Sequence, residues 1–384
     1  MTTLTDTSVK TTAPFLGPLL RPLLRRGVLV LAALGAVFAA ALLVGGRFGL
    51  MLAIGLGFGI VLEGLRFGFA GPWRAMILRR DPAGIWAQLL SIGLVALVAL
   101  PLISAGSGEL AGAQAPVGFA MIAGAFIFGA AMQVVLGCGS GTLVNAGSGN
   151  AVALVALPFF AIGSFAGAYH LIWWTDLGAL PIIKFSGWQG VALTLVGLAA
   201  VAAVLWKLAP PEHRRLPRRL IIAAVLLAAF AILNLIVAGQ PWGVVYGLGL
   251  WAAKAASAAG ADLSGSAFWS APGSIERLKA SILTDYTSLT NIGIILGAFL
   301  VASWRTGGLS QKVPGLPAQA WIAAIVAGFL LGYSSRIAFG CNVGAFFSGI
   351  ATGSLHGWVW FAAAFAGSIY GVRLRPLFKL EPKP

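Results

Sequence analysis

Apolar stretches of membrane length recur along this chain, and they constrain its fold more than any other feature. About twenty apolar residues in a helix cross the hydrocarbon core of a bilayer. The stretches are continuous rather than alternating, which excludes a membrane β-barrel. They lie at 28–44, 48–65, 85–103, 117–136, 150–172, 188–206, 220–238, 242–260, 287–304, 318–338 and 352–371. We therefore predict an all-α fold, that of a polytopic helical membrane protein.

Charged residues are scarce and unevenly placed. They make up 9% of the 384 residues, against about a quarter in a typical soluble domain. The formal net charge is +15, and the basic residues are grouped between the apolar stretches, as in loops retained on the cytoplasmic side of a lipid bilayer. Nothing further supports nucleic-acid binding. The groups are Arg21, Arg25 and Arg26; Arg74, Arg79 and Arg80; Lys207, Arg214, Arg215, Arg218 and Arg219; and Arg373, Arg375 and Lys379.

Two short motifs, each built around a cysteine, reveal an internal duplication. Cys138 and Cys341 are the only cysteines, and a glycine precedes each by nine residues and follows each by three. The motifs read Gly137-Cys138-Gly139-Ser140-Gly141 and Gly340-Cys341-Asn342-Val343-Gly344. Transporters are often built from such repeats, with the substrate site where the repeats meet. Two isolated cysteines fit neither a disulfide framework nor a metal site, so we predict no metal and no cofactor.

The duplication predicts five parts along the chain. They are an N-terminal extension with the first transmembrane helix (1–47), a first repeat (48–172), connector helices with a basic cytoplasmic loop (173–241), a second repeat (242–376) and a tail (377–384). Placing every basic group on one side requires one segment of the second repeat not to cross. Our candidate is the glycine-rich segment 242–260, as a re-entrant helix. We then expect inverted repeats whose broken or re-entrant helices bring both cysteine loops to the middle of the membrane.

A glycine-rich break inside a membrane helix leaves backbone amides without helical partners. Lipid cannot satisfy them, so they must face protein or a watery cavity. The helix that starts after each break presents N–H groups and the positive end of its dipole to an anion. Packing alone would explain one buried cysteine among glycines, but the motif occurs twice in register. The candidate substrate residues are Cys138, Cys341, Gly137, Gly139, Ser140, Gly340, Asn342 and Gly344.

Arg336 lies in an apolar stretch five residues before Cys341, and its counterpart in the first repeat is Gln133. An arginine within a membrane is costly and usually faces a partner or a functional cavity. We interpret Arg336 as attracting an anion, with Gln133 at the matching position of the site. The alternative is a structural contact with a carboxylate or carbonyl. Glu63 and Arg66, one helical turn apart, are predicted to neutralise each other.

These motifs resemble those of the YeeE/YedE family of bacterial inner-membrane transporters of sulfur compounds. The similarity lies in residues 137–143, 335–344 and 371–376, and the resemblance covers about residues 48–376. It implies that thiosulfate is carried inward for sulfur assimilation, through a helical hourglass whose central loops present cysteines along the path. It also suggests a small cytoplasmic sulfurtransferase as a partner. We expect a transporter and not an enzyme.

One position departs from the family pattern. Members commonly carry a further cysteine after the first repeat helix, where this chain has Gly68. Three alternatives to thiosulfate transport stay open. They are transport of sulfite or a selenium compound, a membrane redox protein that uses Cys138 and Cys341 as a dithiol, and a structural subunit with inert thiols. The redox alternative lacks a Cys-x-x-Cys motif and a haem or cluster ligand set.

Overall fold

The computed structural model describes residues 17–106, 108–306 and 315–380, with side chains from Leu24 onward apart from Thr306. This described part is all-α, as predicted; it contains no β-strand and two isolated β-bridges, Gly118–Ala179 and Lys184–Ser354. The predicted N-terminal extension and C-terminal tail are described only in part, because 1–16 and 381–384 lie outside these ranges.

The described residues form sixteen α-helices. They are α1 (Gly17–Val44), α2 (Gly46–Gly64), α3 (Ala70–Arg79), α4 (Ala83–Ala105), α5 (Phe119–Val135), α6 (Gly139–Gly147), α7 (Ala151–Tyr169), α8 (Leu171–Thr175), α9 (Gly187–Leu208), α10 (Arg218–Ala238), α11 (Val245–Ala258), α12 (Pro272–Lys279), α13 (Tyr286–Thr306), α14 (Ala318–Ile337), α15 (Ser348–Ala351) and α16 (Leu355–Leu374). A π-helix, Asn342–Phe347, lies between α14 and α15.

Nine stretches of the described chain are long and apolar enough to cross a membrane, which fits the predicted polytopic protein. Two of them, Phe119–Gly147 and Ala318–Ala351, run through the cysteine motifs. The helix α11, predicted to be re-entrant, is not among the nine. It has 14 residues, a length of about 21 Å, which is short of the roughly 30 Å of hydrocarbon. Its re-entrant path and the inversion of the repeats stay predictions.

Several pairs of described helices pack backbone against backbone at glycines. In the α7–α14 pair, a β-carbon on Gly163 or Gly332 would overlap a carbonyl of the other helix. Gly367 has the same place between α16 and α5, and Gly59 between α2 and α13. Small residues permit this close approach in membranes, where packing rather than the hydrophobic effect drives helix association. The result is a closely fitted scaffold that contains both cysteine motifs.

Helices from the first half of the chain pack mainly on helices from the second half. α5 packs on α16 while α14 packs on α7, so each half supplies the partner of the other. Likewise, α2 packs on α13 and α10 packs on α4. The exact repeat boundaries remain a prediction.

Candidate functional site

Each cysteine lies at a break between two helices. α5 ends at Val135, and Cys138 immediately precedes α6. α14 ends at Ile337, and Cys341 immediately precedes the π-helix. Only 1% of the surface of Cys138 and 0% of that of Cys341 is exposed. The two breaks therefore place both thiols inside the helical scaffold.

The two breaks share one backbone geometry. Leu136 and Phe339, each two residues before the cysteine, adopt left-handed conformations with φ of 52° and 57°. The next amide, that of Gly137 or Gly340, donates to the carbonyl five residues earlier, at 3.2 and 2.8 Å. The left-handed residue at a helix end is usually glycine, because this conformation costs a residue with a side chain about 1–2 kcal/mol. Both breaks thus hold backbone strain at the same place, as functional sites often do.

The two breaks also touch each other. A β-carbon on Gly139 would lie only 2.7 Å from Cys341 Sγ, so this thiol packs on the backbone of the residue that follows Cys138. The same β-carbon position is 3.4 Å from a methyl carbon of Val244. A side chain at position 139 would have no room there. The fold thus brings together two motifs that lie far apart in the sequence.

The start of α6 holds the Cys138 sulfur. The Gly141 amide donates to Sγ at 3.3 Å, and the Ser140 hydroxyl oxygen lies 3.4 Å from Sγ. The Thr142 hydroxyl donates to the Cys138 carbonyl at 2.8 Å. In this N-cap the sulfur takes the place of the usual side-chain oxygen. The first thiol is therefore fixed in position before any ligand arrives.

The second break is less well satisfied. The Cys341 side chain does not cap the π-helix that follows it. Asn342 is fully buried, and neither its amide nitrogen nor its amide oxygen has a hydrogen-bond partner among the described residues. A β-carbon on Gly344 would meet no atom within 4 Å. Buried polar groups without partners are rare, and π-helical turns are frequent at functional sites. Unused hydrogen-bonding capacity therefore adjoins the second thiol.

A cavity of about 370 Å³ opens beside Cys138. Its lining includes Cys138, Ser140, Arg66 and Gly68, but not Cys341. A water molecule occupies about 30 Å³ in the liquid, so the cavity has room for a small anion with part of its hydration shell. A β-carbon on Gly68 would meet no atom within 4 Å. The cysteine implied by the family resemblance would therefore fit at this position in the cavity wall.

Arg336 packs its guanidinium against aromatic rings rather than into this cavity. The guanidinium carbon lies 4.6 Å from the centre of the Phe268 ring and 5.8 Å from that of Tyr246, which are cation–π distances. Its Nε is buried without a hydrogen-bond partner, and no carboxylate of the described residues forms a salt bridge with it. Gln133 donates to the Ala70 carbonyl at 3.1 Å. A substrate role for either residue stays a prediction.

Glu63 does not form the predicted salt bridge with Arg66, although the two charges interact at longer range. Glu63 instead forms a salt bridge with Arg305 of α13, with Oε1 3.1 Å from Nη1. Pairing one turn apart needs both residues in the helix, but α2 ends at Gly64 and Arg66 is left-handed, with φ of 49°. Arg66 forms no salt bridge with any described residue. Its side chain is exposed and lines the cavity.

Sequence reasoning missed Tyr246 and Phe268 as neighbours of Arg336. Tyr246 belongs to the short helix α11, and Phe268 to the connection that follows it. Aromatic residues near a polar connection gave no signal of a specific contact, because the contact joins segments far apart in the chain. In the described ranges, no group of three His, Cys, Asp or Glu residues is arranged to hold a metal ion.

Comparison with known proteins bears on this geometry. The sequence model of the sulphur transport family matches residues 65–370, which include both cysteine motifs and most of the cavity lining. The chain belongs to this family. The match confirms the resemblance that the cysteine motifs indicated.

Individual relatives cover the chain to different extents. The probable transporter YedE of Escherichia coli is 34% identical over 111 residues, which are 28% of this chain and 27% of YedE. YedE of Salmonella typhimurium is 32% identical over 109 residues, with the same coverage of 28% and 27%. This chain therefore matches only about a quarter of the length of these two proteins. The thiosulfate transporter TsuA of Spirochaeta thermophila is 26% identical over 336 residues, which are 80% of this chain and 93% of TsuA.

Proposed function

We propose that this protein is a transporter of thiosulfate, or of a similar sulfur oxyanion, in a bacterial inner membrane. Its family supports a sulfur compound as the cargo, and the alignment with TsuA over most of both chains supports thiosulfate. The observation that carries the proposal is the contact of Cys341 Sγ with Gly139, the neighbour of Cys138. This contact supports a short path that includes both thiols.

The anion is passed between Cys138 and Cys341 in this proposal. A neutral thiol can donate a hydrogen bond to the terminal sulfur of thiosulfate, whereas a thiolate would repel the dianion and offer no donor. Weak S–H contacts suit a relay, because each site must bind the anion well enough to receive it and loosely enough to release it. The N–H groups at the start of α6, with Gly139 and Ser140, supply donors for the oxygens.

Asn342 supports binding at the second thiol. Its amide nitrogen is buried and unpartnered in the residue after Cys341. A buried donor without a partner costs about 1–3 kcal/mol, and an oxyanion would remove that cost by accepting the hydrogen bond. Arg336 adds positive potential on this side while its guanidinium stays against the Phe268 ring. Gln133 holds α3 through the Ala70 carbonyl.

Three other functions remain alternatives to this proposal. A carrier of sulfite or of a selenium compound would use the same donors, so the competition experiment below must separate it. A dithiol redox protein would use both thiols but would not move thiosulfate, and a structural subunit would tolerate the loss of both. A small cytoplasmic sulfurtransferase that receives the cargo belongs to the proposal as a partner.

Uptake of labelled thiosulfate into proteoliposomes that contain the purified protein tests the proposal. We expect saturable uptake, competed by unlabelled thiosulfate more strongly than by sulfate, sulfite or selenate. Empty liposomes and liposomes with the double variant Cys138→Ala/Cys341→Ala are the controls. Uptake equal to that of the controls would reject transport of thiosulfate, and stronger competition by sulfite or selenate would change the assigned cargo.

A further inference from the structure

The cavity beside Cys138 is lined by one arginine that forms no salt bridge with a described carboxylate. Glu63 and Arg66 are the charged residues among its described lining. Glu63 is paired with Arg305, whereas Arg66 forms no salt bridge in the described chain. We propose that Arg66 is the residue that concentrates the substrate anion in this cavity next to Cys138. This inference rests on the proposed transport of a sulfur oxyanion and assigns a specific side chain to it.

Arg305 is the stronger of the two cationic partners of the Glu63 carboxylate, so Glu63 offsets the charge of Arg66 only in part. Its Nη1 lies 3.1 Å from Glu63 Oε1, and its Nη2 donates to the Gly64 carbonyl at 2.6 Å. One guanidinium therefore binds both the carboxylate and the end of α2 that carries it. Arginine suits this task because its planar donors can hold two acceptors in fixed directions. Glu63, Arg66 and Arg305 together carry one net positive charge. Of the two arginines, Arg66 is the one that lines the cavity.

Backbone hydrogen bonds fix the conformation of the chain at Arg66. Its amide donates to the Glu63 carbonyl at 3.4 Å, and the next amide, that of Phe67, donates to the Leu62 carbonyl at 3.0 Å. These two bonds close the end of α2, and the Phe67 side chain that follows is buried. Arg66 is thereby held in its left-handed conformation. The backbone of Arg66 is held in place, while its exposed guanidinium group can move towards an anion.

The surroundings let this charge act on an anion. A concave cavity with low-dielectric walls focuses the field of a charge and raises the local concentration of its counterion. Arg336, by contrast, is covered by the Phe268 and Tyr246 rings and does not line the cavity. Because Arg66 precedes the basic group of α3, the positive-inside rule assigns the cavity to the cytoplasmic side. Arg66 would then stabilise the anion as it leaves or enters at that side.

The first test measures exchange of labelled thiosulfate in proteoliposomes, at thiosulfate concentrations below saturation. Arg66→Gln should lower the rate on the order of tenfold at low ionic strength, and the loss should shrink as salt screens the charge. Arg66→Lys should keep most of the rate, because it keeps the charge. The matched control is Arg79→Gln, which removes a charge at the end of α3, the helix that follows Arg66, but outside the cavity lining. Equal rates for Arg66→Gln and Arg79→Gln would overturn the inference.

The second test does not depend on thiosulfate transport. In a Cys341→Ala background in detergent, Cys138 is modified by two methanethiosulfonate reagents, one carrying a sulfonate and one a trimethylammonium group. The ratio of the two rates reports the local potential, since the reactivity of the thiol cancels. Arg66→Gln should lower the anion-to-cation ratio on the order of tenfold, and Arg79→Gln should not. An unchanged ratio, or no reaction of Cys138 with either reagent, would reject the role of Arg66 even if thiosulfate is transported.

The third test uses the salt bridge between Arg305 and Glu63. Arg305→Gln frees the carboxylate to neutralise Arg66, so the anion-to-cation ratio at Cys138 should fall. The double variant Glu63→Gln/Arg305→Gln removes that carboxylate and should restore the ratio. A merely structural role of Arg305 predicts no such rescue. Absence of thiosulfate uptake by the wild-type protein would reject the proposed function, while these ratios would still decide the charge of the cavity.

Discussion

The two cysteine breaks have the same backbone turn but differ in how far their polar groups are satisfied. At the first break, Gly141 and Ser140 surround the Cys138 sulfur with hydrogen bonds, and a regular helix follows. At the second break a π-helix follows, and both polar atoms of the Asn342 side chain are buried without partners in the described chain. The two breaks thus share one turn geometry but differ in how many polar groups are left to bind a ligand.

This difference assigns distinct tasks to the two breaks. A thiol that is already hydrogen-bonded is fixed in space and gains little from a ligand. A break with unmet donors gains more when an anion arrives, because buried groups without partners are costly. We therefore expect the Cys341 side to bind the anion more tightly and the Cys138 side to pass it on into the cavity.

Removing either thiol should have the largest effect. We predict that Cys341→Ala abolishes thiosulfate uptake and that Cys138→Ala does nearly the same. Both variants should stay folded, since the loss of so small a buried group costs only about 1 kcal/mol. Uptake in proteoliposomes and thermal unfolding in detergent check the two statements. Normal uptake by one variant would show that its thiol is not on the path. The role assigned to that cysteine break would then be wrong.

The contact between the breaks should be nearly as sensitive. Gly139→Ala places a β-carbon 2.7 Å from Cys341 Sγ, so the thiol must move. We predict a loss of most uptake. Gly35→Ala in α1 is the matched control, because its β-carbon would meet no atom within 4 Å and its backbone is not left-handed. If both variants transport alike, the close contact of the two breaks has no part in transport.

Arg336 tests whether the second break depends on a charge. We predict that Arg336→Gln lowers the affinity for a dianion severalfold, because water cannot replace a charge in a low-dielectric site. Arg336→Lys should restore only part of it, since an ammonium does not stack on the Phe268 ring as a guanidinium does. Transport kinetics give the affinity, and protein yield with thermal stability gives the structural contribution. A stable Arg336→Gln protein with normal affinity would remove Arg336 from the site.

Substitution of Asn342 should have the smallest effect on uptake. It also separates the contribution of this side chain to anion binding from its contribution to stability. Asn342→Ala should weaken uptake severalfold yet leave the protein as stable or slightly more stable, because it removes unsatisfied buried groups. Asn291→Ala is the control: its amide donates to the Val244 carbonyl at 2.9 Å, so its removal should lower stability by about 1–3 kcal/mol. Thermal unfolding and uptake are measured on both. A destabilised Asn342→Ala protein would show that this side chain has structural partners.

The sequence predicted the helices and their breaks, but few of the side-chain contacts between residues far apart in the chain. Continuous apolar runs predicted the helices, and the glycine motifs predicted breaks at Cys138 and Cys341, because both signals are local. The salt bridge of Glu63 with Arg305 joins residues far apart, and the nearer Arg66 misled the prediction because α2 ends at Gly64 and Arg66 itself is left-handed. The π-helix after Cys341 has no recognisable local pattern either, so the difference between the breaks required the structure.

The interlocked helix pairs limit how this protein can move. Each half supplies the helix that packs on the other half, and glycines in those pairs press against carbonyls of the facing helix. Rocking one repeat against the other, as in many alternating-access transporters, would separate these contacts along their whole length. We expect access to alternate instead through small local shifts at the two breaks, in which side chains and short turns move while the scaffold stays still.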